Sequence, residues 1–106
     1  MARPIASRRA QKDLRRIWRW VAEDAGARRA DEILDRILAV CDLYATQPQA
    51  GRLHPEFGPT IRSCRSGPYL IFYRPRGATI EIARVIDGRR DLPAAWAEPD
   101  PSNGAP

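Results

Sequence analysis

The side chains best equipped for chemistry gather late in the chain, in IARVIDGRRD, Ile82 to Asp91. Arg84, Arg89 and Arg90 carry planar guanidinium forks that suit carboxylate and phosphate. Arg62 and Arg65 add two more on an earlier strand-like segment. Arginines with a tyrosine could stabilise the charge that develops on a phosphate when a 2′-hydroxyl attacks it. Cleavage also needs a base for the hydroxyl proton and an acid for the leaving oxygen. No Lys, His or Tyr follows Thr79, so the end of the chain is poorly supplied with either. His54, the sole histidine, falls in a proline-rich loop and reads as solvated surface. Tyr69 and Tyr73 alternate on one strand, share a face, and read as packing residues. No catalytic residue is assigned.

A contact surface needs less. Ile80, Ile82, Arg84 and Ile86 would share one face of an ideal strand. An arginine in such an apolar row is costly unless it is partnered. Arg84 should therefore meet an acid (Asp91, Asp87 or Glu81), or a bulge re-aims it. Arg89, Arg90 and Asp91 carry the same ambiguity: one arginine and the aspartate would brace the sheet end, while the other faces a partner.

The elements that must position these residues follow from periodicity. Arg3 to Ala6 reads as a short strand and Ser7 as an N-cap. Ala10, Leu14, Ile17, Trp18, Val21 and Ala25 recur at three- and four-residue steps, the apolar stripe of a helix ending at Gly26. Arg8, Lys12, Arg15 and Arg19 form a second, basic stripe. It is either a solvated face or a dock for an acidic segment. Trp18 and Trp20 point to different sides of the helix, so one can enter the core while the other anchors an interface. A second helix runs from about Ala30 to Ala45, with Asp31 and Glu32 near its start and Pro48 beyond its end. Two apolar-faced helices joined this tightly predict an antiparallel hairpin.

Gln47 to Pro59 reads as a loop. Ile61–Ser66, Tyr69–Arg74 and Thr79–Ile86 read as three strands of an antiparallel meander, with turns at Gly67-Pro68 and Pro75-Gly77. The hairpin must cover the sheet, which gives an α+β domain of order β-α-α-β-β-β over residues 1–92. Residues 93–106 form a Pro-rich tail expected to be flexible, with Trp96 its one candidate for local docking.

Composition narrows the function. The 106 residues are 43% hydrophobic, enough for a real core, and carry a formal charge of +5. Seventeen of the 18 bases are arginine, a bias that coding preference or an anionic partner explains equally well. Cys41 and Cys64 are isolated, with no zinc spacing, and read as buried reduced thiols, so neither metal nor cofactor is expected. The N-terminus lacks a signal-peptide core and no stretch approaches a membrane span, which places the chain in the cytoplasm. Neither a recognition helix nor aromatics in a basic groove stands out, so direct nucleic-acid binding is not expected.

Taken in order, several segments resemble one family. Ser7…Ala10…Asp13-Leu14…Ile17, then Pro48 with Gly51-Arg52, then Arg62 with Tyr69…Ile71-Phe72-Tyr73, and finally IARVIDGRRD are similar to ParE-type toxins of the ParE/RelE superfamily. The resemblance covers about Pro4 to Leu92. It implies a bacterial type II toxin, a growth inhibitor paired with a ParD-like antitoxin that packs across the helical hairpin. Leu14, Arg15, Trp18, Arg19 and Trp20 are the expected antitoxin-binding residues. It also implies DNA gyrase as a target, bound through Arg62, Arg65, Arg84, Arg89 and Arg90. RelE-like relatives share the fold and cut mRNA on the ribosome, which is the alternative function. Asp87 stands where the family favours histidine, and its charge opposes phosphate.

Overall fold

The computed structural model describes residues 3–99. Strand β1 (Ile5–Ala6) leads into helix α1 (Arg8–Ala25). Ser7 lies between them and does two jobs. Its Oγ accepts from the Ala10 amide at 3.0 Å, capping α1, and donates to the Ala83 carbonyl at 3.1 Å. Gly26, at φ 92°, is the whole connector to helix α2 (Ala27–Thr46). A side chain rarely tolerates that backbone, so glycine permits the abrupt reversal.

The chain then forms β2 (Arg52–Leu53), β3 (Arg62–Ser66), β4 (Tyr69–Arg76), β5 (Thr79–Asp87) and a short helix α3 (Leu92–Ala97). The sheet order is β1-β5-β4-β3-β2. β1 runs parallel to β5, and the other pairs are antiparallel. The fold is α+β, as the periodicity predicts.

The sheet carries an apolar core on each face. Helices α1 and α2 cover one, built from residues such as Ala10, Ile37, Cys41, Ile71, Tyr73 and Ile82. On the other face Ile61, Phe72, Ala83 and Ile86 pack against Ala95 of α3, with Phe57 and Trp96 alongside. Three expectations are corrected here. The loop over residues 47–59 contains β2, whose two residues pair with Arg62 and Ser63. β4 continues through Pro75 and Arg76, so its turn starts two residues later, at Gly77. The tail expected to be flexible from residue 93 begins with a packed helix, and Trp96 docks within it. Residues 100–106 of that tail lie outside the described residues.

A bulge in β5 matters most for function. Tyr73 pairs with Ile82 and Phe72 with Arg84, leaving Ala83 as an extra residue. The alternation of faces therefore resets after Ile82, as bulges do. Ile80, Ile82 and Val85 pack under the helices, while Ala83 and Ile86 pack under α3. Arg84 leaves the apolar row.

Candidate functional site

Arg84 is buried, and each of its three guanidinium nitrogens donates inside the fold. Nε and Nη2 donate to the two oxygens of Asp13 at 2.8 and 3.2 Å, and Nη1 donates to the Ala95 carbonyl at 3.0 Å. Asp13 Oδ2 also accepts from the Val85 amide at 2.9 Å. One ion pair thus ties α1, the β5 bulge and α3 together. Both expected devices occur, a bulge and an internal acid, but the acid is Asp13 and not Asp91, Asp87 or Glu81. Arg84 is a brace rather than a surface contact. Asp13 is the residue that sequence reasoning missed. Its signal was a carboxylate on the flank of an apolar helical stripe.

Past the bulge, Asp87 closes the turn. It accepts from the Arg89 amide, Nε and Nη2 at 2.9, 3.0 and 2.6 Å. The Arg89 hydrogen bond holds the Asp87 carboxyl below its usual range. Arg89 lies outward and open to solvent. Arg90 donates to Glu98 at 2.7 Å, and Asp91 caps α3 by accepting from the Ala94 amide at 3.2 Å. The expected arginine–Asp91 brace is therefore replaced. Asp91 serves the helix, and each arginine takes a different acid.

The remaining candidates separate. Arg62 clamps the loop after α2, donating to the Gln49 and Gly51 carbonyls and to Gln49 Oε1. Tyr73 Oη donates to the Pro48 carbonyl and accepts from the Gly51 amide, both at 2.9 Å. A Cβ on Gly51 would meet the Tyr73 ring and lie 2.8 Å from the Ser63 carbonyl, so the loop requires glycine there. Tyr69 and Tyr73 are both buried in the helix-side core, which pushes both phenols up. Arg65 is exposed on β3 and approaches the Gly88 backbone. His54 corrects the expectation of a solvated residue. It is buried, with Nε2 2.7 Å from Ser63 Oγ, and its ring packs against Phe57 and Phe72.

On α1, Leu14 packs towards the core and Trp18 is half-buried, its Nε1 donating to Asp31 of α2 at 2.7 Å. Neither tryptophan enters the fully buried core. Arg15, Arg19 and Trp20 are exposed, Trp20 at 61%. Trp20 overhangs two adjoining cavities. One of about 190 Å³ is lined by Arg16, Ile17, Tyr69, Ile86, Arg89 and Arg90 among others. Its neighbour of about 350 Å³ reaches Val21, Arg29, Ile33, Arg36 and the β3–β4 turn. Trp20, Tyr69 and Arg89 line both. The structure therefore brings Trp20, Arg89 and Arg90 together and leaves Arg62 and Arg65 elsewhere. No sequence signal points to Arg16, Arg29 or Arg36, because their place depends on how hairpin and sheet pack. Among the described residues, no acidic, His or Cys cluster has metal-binding geometry, and no helix is long and apolar enough to cross a membrane.

Residues 5–92 match the family described as "ParE toxin of type II toxin-antitoxin system, parDE". The chain belongs to the ParE toxin family. It is 34% identical over 94 residues to Toxin ParE3 of Caulobacter vibrioides, spanning 89% of this chain and 94% of that protein. Toxin ParE1 of the same organism is 32% identical over 80 residues, spanning 76% and 82%. A solved structure of a "Chromosomal ParDE TA system from P. aeruginosa" superposes with a TM-score of 0.69 at 21% identity. It covers 82% of this chain and 96% of that one, which shows the shared fold. For this ParE-family toxin, the family-like segments now have physical roles. Ser7 and Asp13 satisfy the bulge, Gly51 and Tyr73 set the loop, and Arg84 bolts three elements together.

Proposed function

We propose that this chain is the toxin of a parDE pair, working in the cytoplasm, silenced by a ParD-like antitoxin and acting by binding DNA gyrase rather than by cutting RNA. The observation that carries the reading is how the acid–base candidates are occupied. Tyr73 and His54 are buried and hydrogen-bonded, Asp87 is held by Arg89, and Arg84 is engaged by Asp13 and Ala95, while Tyr69 gives the groove wall only a largely buried phenol whose burial pushes it up. General catalysis needs such groups within reach of substrate. What faces solvent instead is Trp20 beside Arg89 over an apolar-floored groove, a composition suited to a protein interface. The antitoxin half of the proposal rests on family membership and on the likeness to a toxin–antitoxin system from P. aeruginosa.

Induced expression in a bacterial host tests the target. Growth arrest with filamentation and a DNA-damage response is expected, and purified chain should inhibit gyrase supercoiling. Rapid translation arrest with cut mRNA would instead establish the RelE-like activity. Co-expression with the product of the adjacent upstream gene should restore growth and yield a stable complex.

A further inference from the structure

Helix α1 opposes its own dipole at both ends, with Arg8 and Arg9 in its first turn and Glu23 and Asp24 in its last. Arg8, Arg9, Lys12, Arg15, Arg16 and Arg19 all fall in its first twelve residues, whereas Glu23 and Asp24 stand at its end. The one early acid, Asp13, is buried against Arg84. A helix N-terminus favours negative charge and a C-terminus positive charge. Solubility needs only mixed signs, so it does not account for this polarity.

The six bases also share a face. At about 100° per residue they lie within an arc of roughly 120°, and Arg8 to Arg19 span roughly 16 Å at about 1.5 Å per residue. Arg8, Arg15, Arg16 and Arg19 all reach solvent to differing degrees, and Arg9 and Lys12 are at least partly exposed. No apolar residue between Arg8 and Arg19 falls within that arc; Ala10, Leu14, Ile17 and Trp18 lie outside it. Protein interfaces of useful affinity are centred on buried apolar or aromatic anchors. A polyanion needs none, because cations release its condensed counterions and that release supplies the affinity. The face therefore suits a phosphate backbone better than an acidic protein segment. A helix laid side-on fits the roughly 12 Å major groove of B-form DNA, whereas the deep, narrow groove of A-form RNA excludes it.

We propose that the outer face of α1 is a sequence-independent docking surface for double-stranded DNA. Its basic side chains suit phosphate oxygens, and backbone contact requires neither the recognition helix nor the stacked aromatics whose absence counts against base readout. The surface meets the Trp20–Arg89 groove only at Arg16 and does not depend on what that groove binds.

Fluorescence anisotropy of the full chain with a labelled duplex of about 20 base pairs and mixed sequence tests it. A Kd on the order of 1–100 μM at about 50 mM salt is expected, with a log Kobs against log[salt] slope of about −3 to −4 if four phosphates are neutralised. The triple variant Arg8→Glu, Arg15→Glu, Arg19→Glu should bind at least roughly tenfold more weakly, with a slope reduced by about 2–3. It should stay folded, since all three side chains are exposed and Arg8 lies in the first turn, where an acid is favoured. If it fails to fold, the Gln variants of the same three positions replace it. The double variant Arg89→Ala, Arg90→Ala should bind DNA unchanged. Binding weaker than about 1 mM, or a flat salt slope, would overturn the proposal. So would indifference to the charge reversal, or tighter binding to an RNA duplex or to polyglutamate of equal charge. The growth and gyrase assays report on the toxin reading separately, so either can fail alone.

Discussion

At the scale of single residues, Arg84 shows what an apolar row can and cannot disclose. Its place among isoleucines makes a partner obligatory, which is legible in sequence. The partner is 71 positions away and depends on how α1 crosses β5, which is not. Removing one member of a buried ion pair strands the other charge, at a cost of about 3–5 kcal/mol. Arg84→Ala and Asp13→Ala are each expected to lose about that much in urea denaturation, and the double variant clearly less than their sum. Additive losses would mean that the two side chains act independently. The thiols make a second case. Burial pushes Cys41 and Cys64 up from 9.0 to about 12. A raised folded-state value favours the protonated native form, so this stabilisation is complete below about pH 9 and lost as pH rises towards 12. Thermal melts should fall across that window, and the double Cys→Ala variant should flatten the fall. At about pH 8 both thiols should react with a disulfide reagent only as fast as the fold opens.

At the scale of elements, long periodic segments are readable and short ones are not. Both helices and the meander β3–β4–β5 follow from apolar spacing, because each buries enough surface to leave a pattern. β2 has two residues and owes its existence to Arg62 and Ser63 opposite, so nothing local marks it. The β5 bulge inverts the side-chain alternation expected after Ile82, and the side chains that satisfy its backbone, Ser7 and Asp13, are far away in sequence. Helix α3 resembles tail in sequence because Pro93 and its alanines hide the value of its one aromatic. Trp96 stacks on Phe57 at 4.6 Å between ring centres and meets Phe72 edge-on at 5.4 Å, closing the second core. Full burial of such a ring is worth about 3–5 kcal/mol, so half-buried Trp96→Ala should cost about 2–3 kcal/mol in urea denaturation. A change below about 0.5 kcal/mol would make α3 a passive appendage. A loss at least as large is expected on ending the chain at Asp91, because Asp91 and Arg84 then lose their partners on α3 as well.

At the scale of the whole molecule, the sheet divides the protein into a helical side and an α3 side, and Arg84 links the two. The surface with the composition of an interface lies where the helical side meets the end of β5. There, residues from α1 and α2 and from the turns after β3 and β5 converge around Trp20 and Arg89. The family resemblance assigns these two to different partners, the antitoxin and the target, yet they line the same cavities. Their side chains are open to solvent, so Trp20→Ala and Arg89→Ala should each change stability by less than about 0.5 kcal/mol. If one groove serves both partners, each variant should weaken growth arrest and antitoxin binding together. At a hot-spot position, truncation costs about 2 kcal/mol or more, roughly thirtyfold in Kd. The check is isothermal titration with the antitoxin alongside a growth curve for each variant. A clean split, with Trp20→Ala impairing only neutralisation and Arg89→Ala only arrest, would instead show two surfaces that merely adjoin. Antitoxin bound on one would then have to silence the other by bulk rather than by occupying it.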